Sequence, residues 1–344
     1  MKIVRLGKTE LRVTKTAFGV LPLQRTNMEE AVRILRRAYD AGINYYDTAN
    51  AYTDSEAKIG SALSDVRRNI VISTKSQATD RKTALEHIEK SLRALKTDYI
   101  DLFQLHNIKE LPNPNDPHSA YSAAMDAVKA GKILHVGATS HRINVAEEAV
   151  DCGLFETIQF PFSYIGSERE IALAERAKRA DVGFIAMKGL AGGMLSCARA
   201  CYCFIGQYDN VVPIWGMQHM WELEEFLELD ARNPQIDDEI RALIEKDRAE
   251  LTGNFCRSCG YCLPCPAAIE IPTAARMERL LRRMPNAGFM TEEFHKAMHK
   301  IDDCIGCNHC KDHCPYELDT PKLLKYMLKD YDEFYKNYHE GKIE

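Results

Sequence analysis

The sequence predicts an α/β protein: a (β/α)8 TIM barrel followed by a small, mainly helical domain. Three observations carry this reading. Up to about residue 228, short apolar runs alternate with amphipathic stretches roughly eight times. Several of these runs end in polar side chains, namely Asp47, Lys75, His106 and the pair Ser140-His141. Barrel enzymes place their chemistry at such strand ends. Near the C-terminus the composition shifts, and eight of the twelve cysteines gather in two tight runs.

A chain of 344 residues with 45% hydrophobic content can bury a large core beside a smaller domain. Its net charge of −5 gives no sign of attraction to nucleic acid or to a membrane surface. Met1–Lys8 has no apolar h-region, and no stretch approaches membrane-spanning length. The expectation is a cytoplasmic protein with neither nucleic acid nor membrane as partner. In a reducing compartment, clustered cysteines are more often metal ligands than disulfides.

Lys2–Leu6 and Leu11–Val13, separated by Gly7-Lys8, read as a hairpin. Thr16–Val20 is the next apolar run. Met28–Asp40 carries Ala31, Ile34, Leu35 and Ala38 at helical spacing. A strand then enters Asp47, and Glu56–Leu63 is helical. The alternation continues with a strand at Asn69–Thr74, a helix at Thr83–Leu95, a strand at Ile100–Leu105 and a helix at Ala120–Ala130. Ile133–Ala138, Val145–Val150, Thr157–Phe160, Glu168–Arg179 and Gly183–Met187 follow. The seventh helix, around Leu195–Gln207, is compressed, and its Cys197, Cys201 and Cys203 read as packing residues. Val211–Ile214 and Met220–Leu227 form the last pair. A doubly wound sheet is the competing architecture. Its nucleotide-binding form needs G-x-G-x-x-G at the first turn, and Phe18-Gly19-Val20-Leu21-Pro22 does not supply it.

Residues Ile43–Tyr52 bring a carboxylate, Asp47, to the end of a buried strand, with the phenol of Tyr52 five residues on. A charge there is costly unless it is paired. Each polar residue has a plain alternative. Asp47 can cap a turn, Lys75 can snorkel at a rim, and His106 can be a core histidine bonded to backbone. Together, four polar groups at matching positions on successive strands are hard to explain by packing alone, because each costs desolvation. The chemistry they suggest is proton transfer to a carbonyl oxygen. A phenol titrates near pH ~10, too high for efficient acid–base work at neutral pH. A buried ammonium beside it favours the phenolate. Asp47 would keep Lys75 charged and fixed, and a neutral imidazole at His106 would orient the carbonyl or share its proton.

These residues resemble the aldo-keto reductase family over about residues 1–228. The matching elements are Asp47-Thr48-Ala49-x-x-Tyr52, Ser73-Thr74-Lys75, Asp101-Leu102-Phe103-Gln104-Leu105-His106, Gly131-Lys132-Ile133-x-x-Val136-Gly137 and Ile185-Ala186-Met187-Lys188-Gly189-Leu190. The resemblance implies a catalytic tetrad of Asp47, Tyr52, Lys75 and His106, with Tyr52 as general acid in hydride transfer to an aldehyde or ketone. It also implies an NAD(P)H cofactor laid across the barrel mouth. Ser140, His141 and Gln159 would meet the carboxamide. Gly216, Met217 and Gln218, with Glu222 and Glu225, would lie near the adenosine phosphate and ribose. Gly19 and Met187 complete the cofactor-binding set. Three departures from the family pattern stand out. Met187 replaces a tyrosine common against the nicotinamide, and His141 replaces a common asparagine. Glu222 stands where many members have an arginine for the 2′-phosphate. A carboxylate there would repel phosphate and accept ribose hydroxyls, which favours NADH over NADPH.

Residues 237–252 form a charged amphipathic helix that reads as a linker. Beyond it, Cys256-x-x-Cys259-x-x-Cys262-x-x-Cys265-Pro266 is followed by Cys304-x-x-Cys307-x-x-Cys310-x-x-x-Cys314-Pro315. The second run matches the bacterial ferredoxin pattern, and the first is one residue short before its Cys-Pro. Zinc is the alternative, but two separated cysteine pairs would leave the third cysteine and the Cys-Pro of each run unexplained. Two [4Fe–4S] clusters account for all eight. By the ferredoxin analogy, one cluster takes Cys256, Cys259, Cys262 and Cys314, and the other takes Cys304, Cys307, Cys310 and Cys265. Ile271-Pro272 and Thr320-Pro321 each start a helix after a run, and Thr291–Lys300 adds one between them. This resembles the helical two-cluster ferredoxins. Leu324, Met327 or Leu328, Tyr331, Phe334 or Tyr335, and Tyr338 form a stripe that docks on the barrel or on the cluster domain. The expected organisation is a barrel over 1–236, the linker helix over 237–252, a ferredoxin-like domain over 253–320 and a docking helix over 321–344.

Two functions remain open at this level. In one, the chain reduces a small carbonyl, or oxidises the alcohol, with NAD(P)H, and the cluster domain closes the site or links it to a ferredoxin or other electron carrier. In the other, the barrel senses nicotinamide cofactor or binds a partner without carbonyl turnover, and the chain serves in electron transfer. The intact tetrad favours the first, because a binding module has no need of Lys75 beside Tyr52.

Overall fold

The computed structural model describes residues 1–251, 255–283 and 286–342. Thr252 and Gly253, the expected join between linker and second domain, lie outside the described residues, as do 343 and 344 at the end of the docking helix. The chain divides into two compact units, one of residues 1–190 and 197–245 and the other of residues 191–196 and 246–344.

In the first unit, β1 (Ile3–Arg5) and β2 (Arg12–Thr14) form an antiparallel hairpin in which Val4 faces Val13. Gly7 turns the chain at φ +55, and a Cβ there would lie 2.2 Å from the amide nitrogen of Gly183, so only glycine fits. Eight parallel strands then close a barrel: β3 (Ala17–Gly19), β4 (Tyr45–Asp47), β5 (Val71–Ser76), β6 (Ile100–Leu105), β7 (Ile133–Thr139), β8 (Thr157–Pro161), β9 (Gly183–Met187) and β10 (Val211–Gly216). β10 pairs back onto β3, with Gly216 opposite Gly19. Val4, Leu6 and Val13 of the hairpin share one buried cluster with Ala17, Tyr45, Val71, Leu102, Ile185, Val212 and Ile214. The hairpin thereby plugs the end of the barrel where the strands begin.

The outer helices follow the sequence pattern closely. α1 (Met28–Asp40) buries Ala31, Ile34, Leu35 and Ala38, and Asn27 caps it by accepting the Glu30 N–H at 2.9 Å. α2 (Ser55–Leu63), α3 (Arg81–Leu95), α4 (Ala120–Lys129), α5 (Ile143–Asp151), α6 (Glu168–Arg179) and α7 (Ala198–Gly206) complete the run. α6 begins in a capping box between Ser167 and Glu170. α8 (Met220–Arg232) runs past the expected Leu227, because Leu229 is also buried and the stop comes at Asn233, left-handed at φ 43. α9 (Asp238–Leu251) follows.

The second unit is helical among its described residues: α10 (Ile271–Ala274), α11 (Met277–Arg283), α12 (Glu292–His299), α13 (His309–Asp312) and α14 (Thr320–His339). α14 buries Thr320, Leu324, Met327, Leu328 and Tyr331 against α10, α11 and α13 of its own unit. The Tyr331 hydroxyl donates to the Phe289 carbonyl at 2.9 Å, and Arg282 forks onto Asp330 at 2.6 and 2.8 Å. Among the described residues, no helix is long and apolar enough to cross a membrane.

Candidate functional site

The parallel register sets Asp47 opposite Ser73, and Lys75 opposite Gln104. Because side chains alternate along a strand, Ser73 and Lys75 share one face of β5. Lys75 is fully buried, and its Nζ donates to Asp47 Oδ1 at 2.6 Å and to the Thr48 carbonyl at 2.5 Å. The other oxygen of Asp47 accepts from Ser73 Oγ at 2.5 Å and from Gln104 Nε2 at 3.4 Å. Ser73 in turn accepts from the Tyr45 hydroxyl at 3.0 Å, and Gln104 donates to Gln159 Oε1 at 2.8 Å. Burial pulls the Lys75 ammonium below the usual lysine range, while Asp47 and Glu56 pull the other way.

Tyr52 is half-buried on the turn after β4, where its N–H donates to the Ala49 carbonyl at 3.0 Å. Lys75 Nζ lies 5.3 Å from the centre of its ring. His106, just past β6, meets that ring edge-on at 5.8 Å between centroids. Burial, and then the charge of Lys75, push the His106 imidazole down to about 3, so it is neutral at physiological pH. Its Nδ1 is buried and has no hydrogen-bond partner among the described residues. That orphaned nitrogen suits a polar ligand atom. Asp47, Tyr52, Lys75 and His106 thus gather at one end of the barrel.

The remaining predicted positions lie at the same end. Ser140 follows β7, and its N–H donates to the Gln159 carbonyl at 3.2 Å. His141 and Gln159 are buried, and Met187 is half-buried at the end of β9. Gly19 and Gly216 end β3 and β10. A Cβ on Gly216 would approach Pro22 Cγ to 3.0 Å, and one on Gly19 would approach the Ile214 carbonyl to 3.0 Å. Met217 is buried. Glu222 is a capping residue: one carboxylate oxygen accepts the Gln218 N–H at 2.6 Å and the His219 N–H at 2.9 Å. Glu225 is exposed one turn along α8.

Sequence reasoning missed the supports of this site. In the sequence Ser73 and Gln104 are only members of motifs, yet in the fold both hold Asp47. Their signal was available, since each is a polar residue two positions before Lys75 or His106, on the same strand face. Glu56 was also missed. It is a second buried carboxyl that accepts from Thr74 Oγ1 at 2.6 Å, with its pKa raised by burial.

In the second unit the cysteines line two cavities. Cys256, Cys259, Cys262 and Cys314 border one, and Cys265, Cys304, Cys307 and Cys310 border the other. Cys262 and Cys310 touch both. Other walls are largely carbon, with Ile271 in both cavities and Ile269, Ile305 and Leu324 in the second. Left-handed residues, Ser258 and Gly260 in one run and Gly306 and Asn308 in the other, fold each Cys-x-x-Cys loop back on itself. The Ser258 N–H donates to Cys256 Sγ at 3.4 Å. Burial pushes the thiols of Cys256 and Cys310 up and that of Cys262 up to about 12. Four sulfur donors around each apolar cavity fit an iron–sulfur cubane, whose iron would take the place of the thiol protons.

The Aldo/keto reductase family model matches residues 15–202, and the 4Fe-4S dicluster domain model matches residues 255–319. An uncharacterized oxidoreductase of Bacillus subtilis, YqkF, is 31% identical over 177 residues, which are 47% of this chain and 56% of that protein. The L-glyceraldehyde 3-phosphate reductase of Escherichia coli is 29% identical over 236 residues, covering 60% of this chain and 64% of that one. The chain therefore spans little more than half the length of the first of these relatives. Among solved structures, the holo form of an aldo-keto reductase from Bacillus halodurans superimposes with a TM-score of 0.61. It shares 25% identity and covers 72% of this chain and 96% of its own.

Proposed function

The chain belongs to the aldo/keto reductase family and ends in a 4Fe-4S dicluster domain, and from that premise we propose an NAD(P)H-dependent reductase of small aldehydes or ketones with Tyr52 as its general acid. The observation that carries this reading is the buried Lys75 ammonium, 2.6 Å from Asp47 and 5.3 Å from the centre of the Tyr52 ring. A reduced nicotinamide supplies a hydride when bound, and iron–sulfur clusters supply single electrons.

The chain's own residues do the rest. As the substrate carbonyl carbon is reduced, its oxygen takes the proton of the Tyr52 phenol and becomes a hydroxyl. The phenolate left behind is stabilised by the Lys75 ammonium. Asp47, itself fixed by Ser73 and Gln104, holds that ammonium in place. His106 stays neutral and offers its imidazole to the carbonyl oxygen without competing as a charged acid. Ser140, His141 and Gln159 would hold the carboxamide of the nicotinamide, with Met187 covering its ring. Gly19, Gly216, Met217 and Gln218 would pass the cofactor backbone at close range, with Glu225 beside it. A carboxylate at Glu222 disfavours a 2′-phosphate, so NADH is the preferred cofactor. Cys256, Cys259, Cys262 and Cys314 would ligate one cluster, and Cys265, Cys304, Cys307 and Cys310 the other.

Tyr52→Phe tests the acid. Turnover of a panel of small aldehydes should fall by about 10²–10⁴-fold, with NADH binding and the iron–sulfur absorption retained. Unchanged turnover would overturn the assignment. Glu222→Arg should shift preference towards NADPH, and a wild-type preference for NADPH would remove the argument from that carboxylate.

A second reading, electron transfer with a nicotinamide-sensing barrel, draws on the exposure of Cys304 and Cys307 at the second cavity. Titration of the cluster-loaded protein with NADH under argon separates the two. Bleaching of the clusters without carbonyl turnover favours electron transfer, and turnover with silent clusters favours the reductase.

A further inference from the structure

We propose that His295, His299 and Asp332 bind a divalent transition-metal ion of the zinc class, at a site separate from both cysteine cavities. His295 and His299 stand four residues apart on α12, so they project from the same face of the helix. Their rings lie 4.5 Å apart between centroids. Asp332 reaches in from α14, its Oδ1 3.0 Å from His299 Nε2. One ligand atom from each of the three lies within 4.8 Å of the others.

Two features go beyond a surface ion pair. The first is the far side of His299, where Nδ1 lies 2.8 Å from Asp302 Oδ2. A carboxylate behind a histidine fixes the ring and its tautomer and makes the other nitrogen a better ligand. The second is His295. Its Nδ1 is buried and has no hydrogen-bond partner among the described residues. The ring is fixed by stacking on Tyr335 at 4.2 Å and on Tyr331 at 5.7 Å. An Asp302–His299–Asp332 ion pair accounts for both ring nitrogens of His299. It leaves the buried His295 Nδ1 without a partner among the described residues, and a shared metal would be that partner.

The donor set selects the ion. Two imidazole nitrogens and one carboxylate suit zinc and its neighbours, with a fourth position left for water. Calcium and magnesium ask for more oxygens than are present. On binding, the ion takes the place of the proton on His299 Nε2, which leaves to solvent. The consequence is structural. α12 lies in the stretch between the two cysteine runs, and the ion would tie it to α14.

The test uses the full-length, cluster-loaded protein, dialysed to equilibrium against micromolar Zn²⁺ with excess Mg²⁺, and metals counted by mass spectrometry. About one zinc per chain should bind, with the iron content unchanged. His299→Gln, Asp332→Asn and His295→Phe should each lose that zinc while keeping the iron–sulfur absorption. The phenylalanine preserves the stack on Tyr335. Asp302→Asn should weaken binding about 10-fold, as removal of an outer carboxylate does. Equal zinc uptake in wild type and the three ligand variants would overturn the proposal. So would zinc that enters only as iron leaves, or that excess Mg²⁺ displaces.

Discussion

At the barrel mouth both oxygens of Asp47 already have donors inside the protein, Lys75 on one and Ser73 with Gln104 on the other. In the second unit, the cysteines face cavities whose other walls are mostly carbon, and burial holds three of their thiols above the usual range. The first arrangement holds its carboxylate by bonds from its own residues and leaves the His106 Nδ1 to a ligand. Its charges are paired and its geometry is set before any ligand arrives, as electrostatic preorganisation requires. The second gathers sulfur donors around apolar space. Its buried thiols become good ligands only when a metal displaces their protons. One chain thus contains a site ordered by its own hydrogen bonds and another whose sulfur donors fit an inorganic cluster.

Removing the iron should break this comparison open most widely. After chelation under oxidising conditions, proteolysis should cut rapidly within residues 255–342 while the barrel resists, as read by peptide mass spectrometry. Equal resistance in both regions would show that the apolar walls alone hold the cysteine loops. In the barrel, Lys75→Met should cost about 3–5 kcal/mol in urea unfolding, because it strands a buried carboxylate. Lys75→Met combined with Asp47→Asn should recover part of that loss. A cost below about 1 kcal/mol would place the pair among weak surface-like interactions.

The pH dependence of stability should follow His106. Its folded pKa is depressed to about 3 from an ordinary value of 6.5. Between these values the unfolded chain binds the extra proton and the folded one does not, so stability is intact above pH ~6.5 and falls as pH drops towards ~3. His106→Gln should flatten that slope in denaturation midpoints taken at pH 7 and pH 5. A smaller effect belongs to Glu222. Replacing it with alanine removes the acceptor for the Gln218 and His219 N–H groups. The expected cost is about 1 kcal/mol of barrel stability, measured by thermal unfolding.

Much of this was legible in the sequence, for physical reasons that can be named. Met28–Asp40 was read to the residue, because its buried positions repeat at helical spacing between an Asn cap and an Ala-Gly exit. The C-terminal end of α8 is harder to read, although its start at Met220 is as expected. Glu224, Glu225 and Glu228 crowd the stripe that Leu223, Phe226 and Leu229 form, and the true stop is a left-handed Asn233 before Pro234. Asp47, Lys75 and His106 stand out because polar side chains at the ends of apolar runs are rare, whereas grouping Tyr52 with them is what the family resemblance implies. Ser73 and Gln104 do not stand out, since an uncharged polar residue inside a strand looks ordinary until its partner across the barrel is known. The two cysteine runs follow from spacing and their crossed division into sets of four from the ferredoxin analogy, whereas Cys262 and Cys310 bordering both cavities is a fact of three-dimensional packing.

The β1–β2 hairpin has its own consequence. With Val4, Leu6 and Val13 sunk into the barrel floor and Gly7 wedged against Gly183, the cylinder is stoppered at one end. What binds the barrel must therefore meet it at the opposite rim, where Asp47, Lys75 and His106 gather.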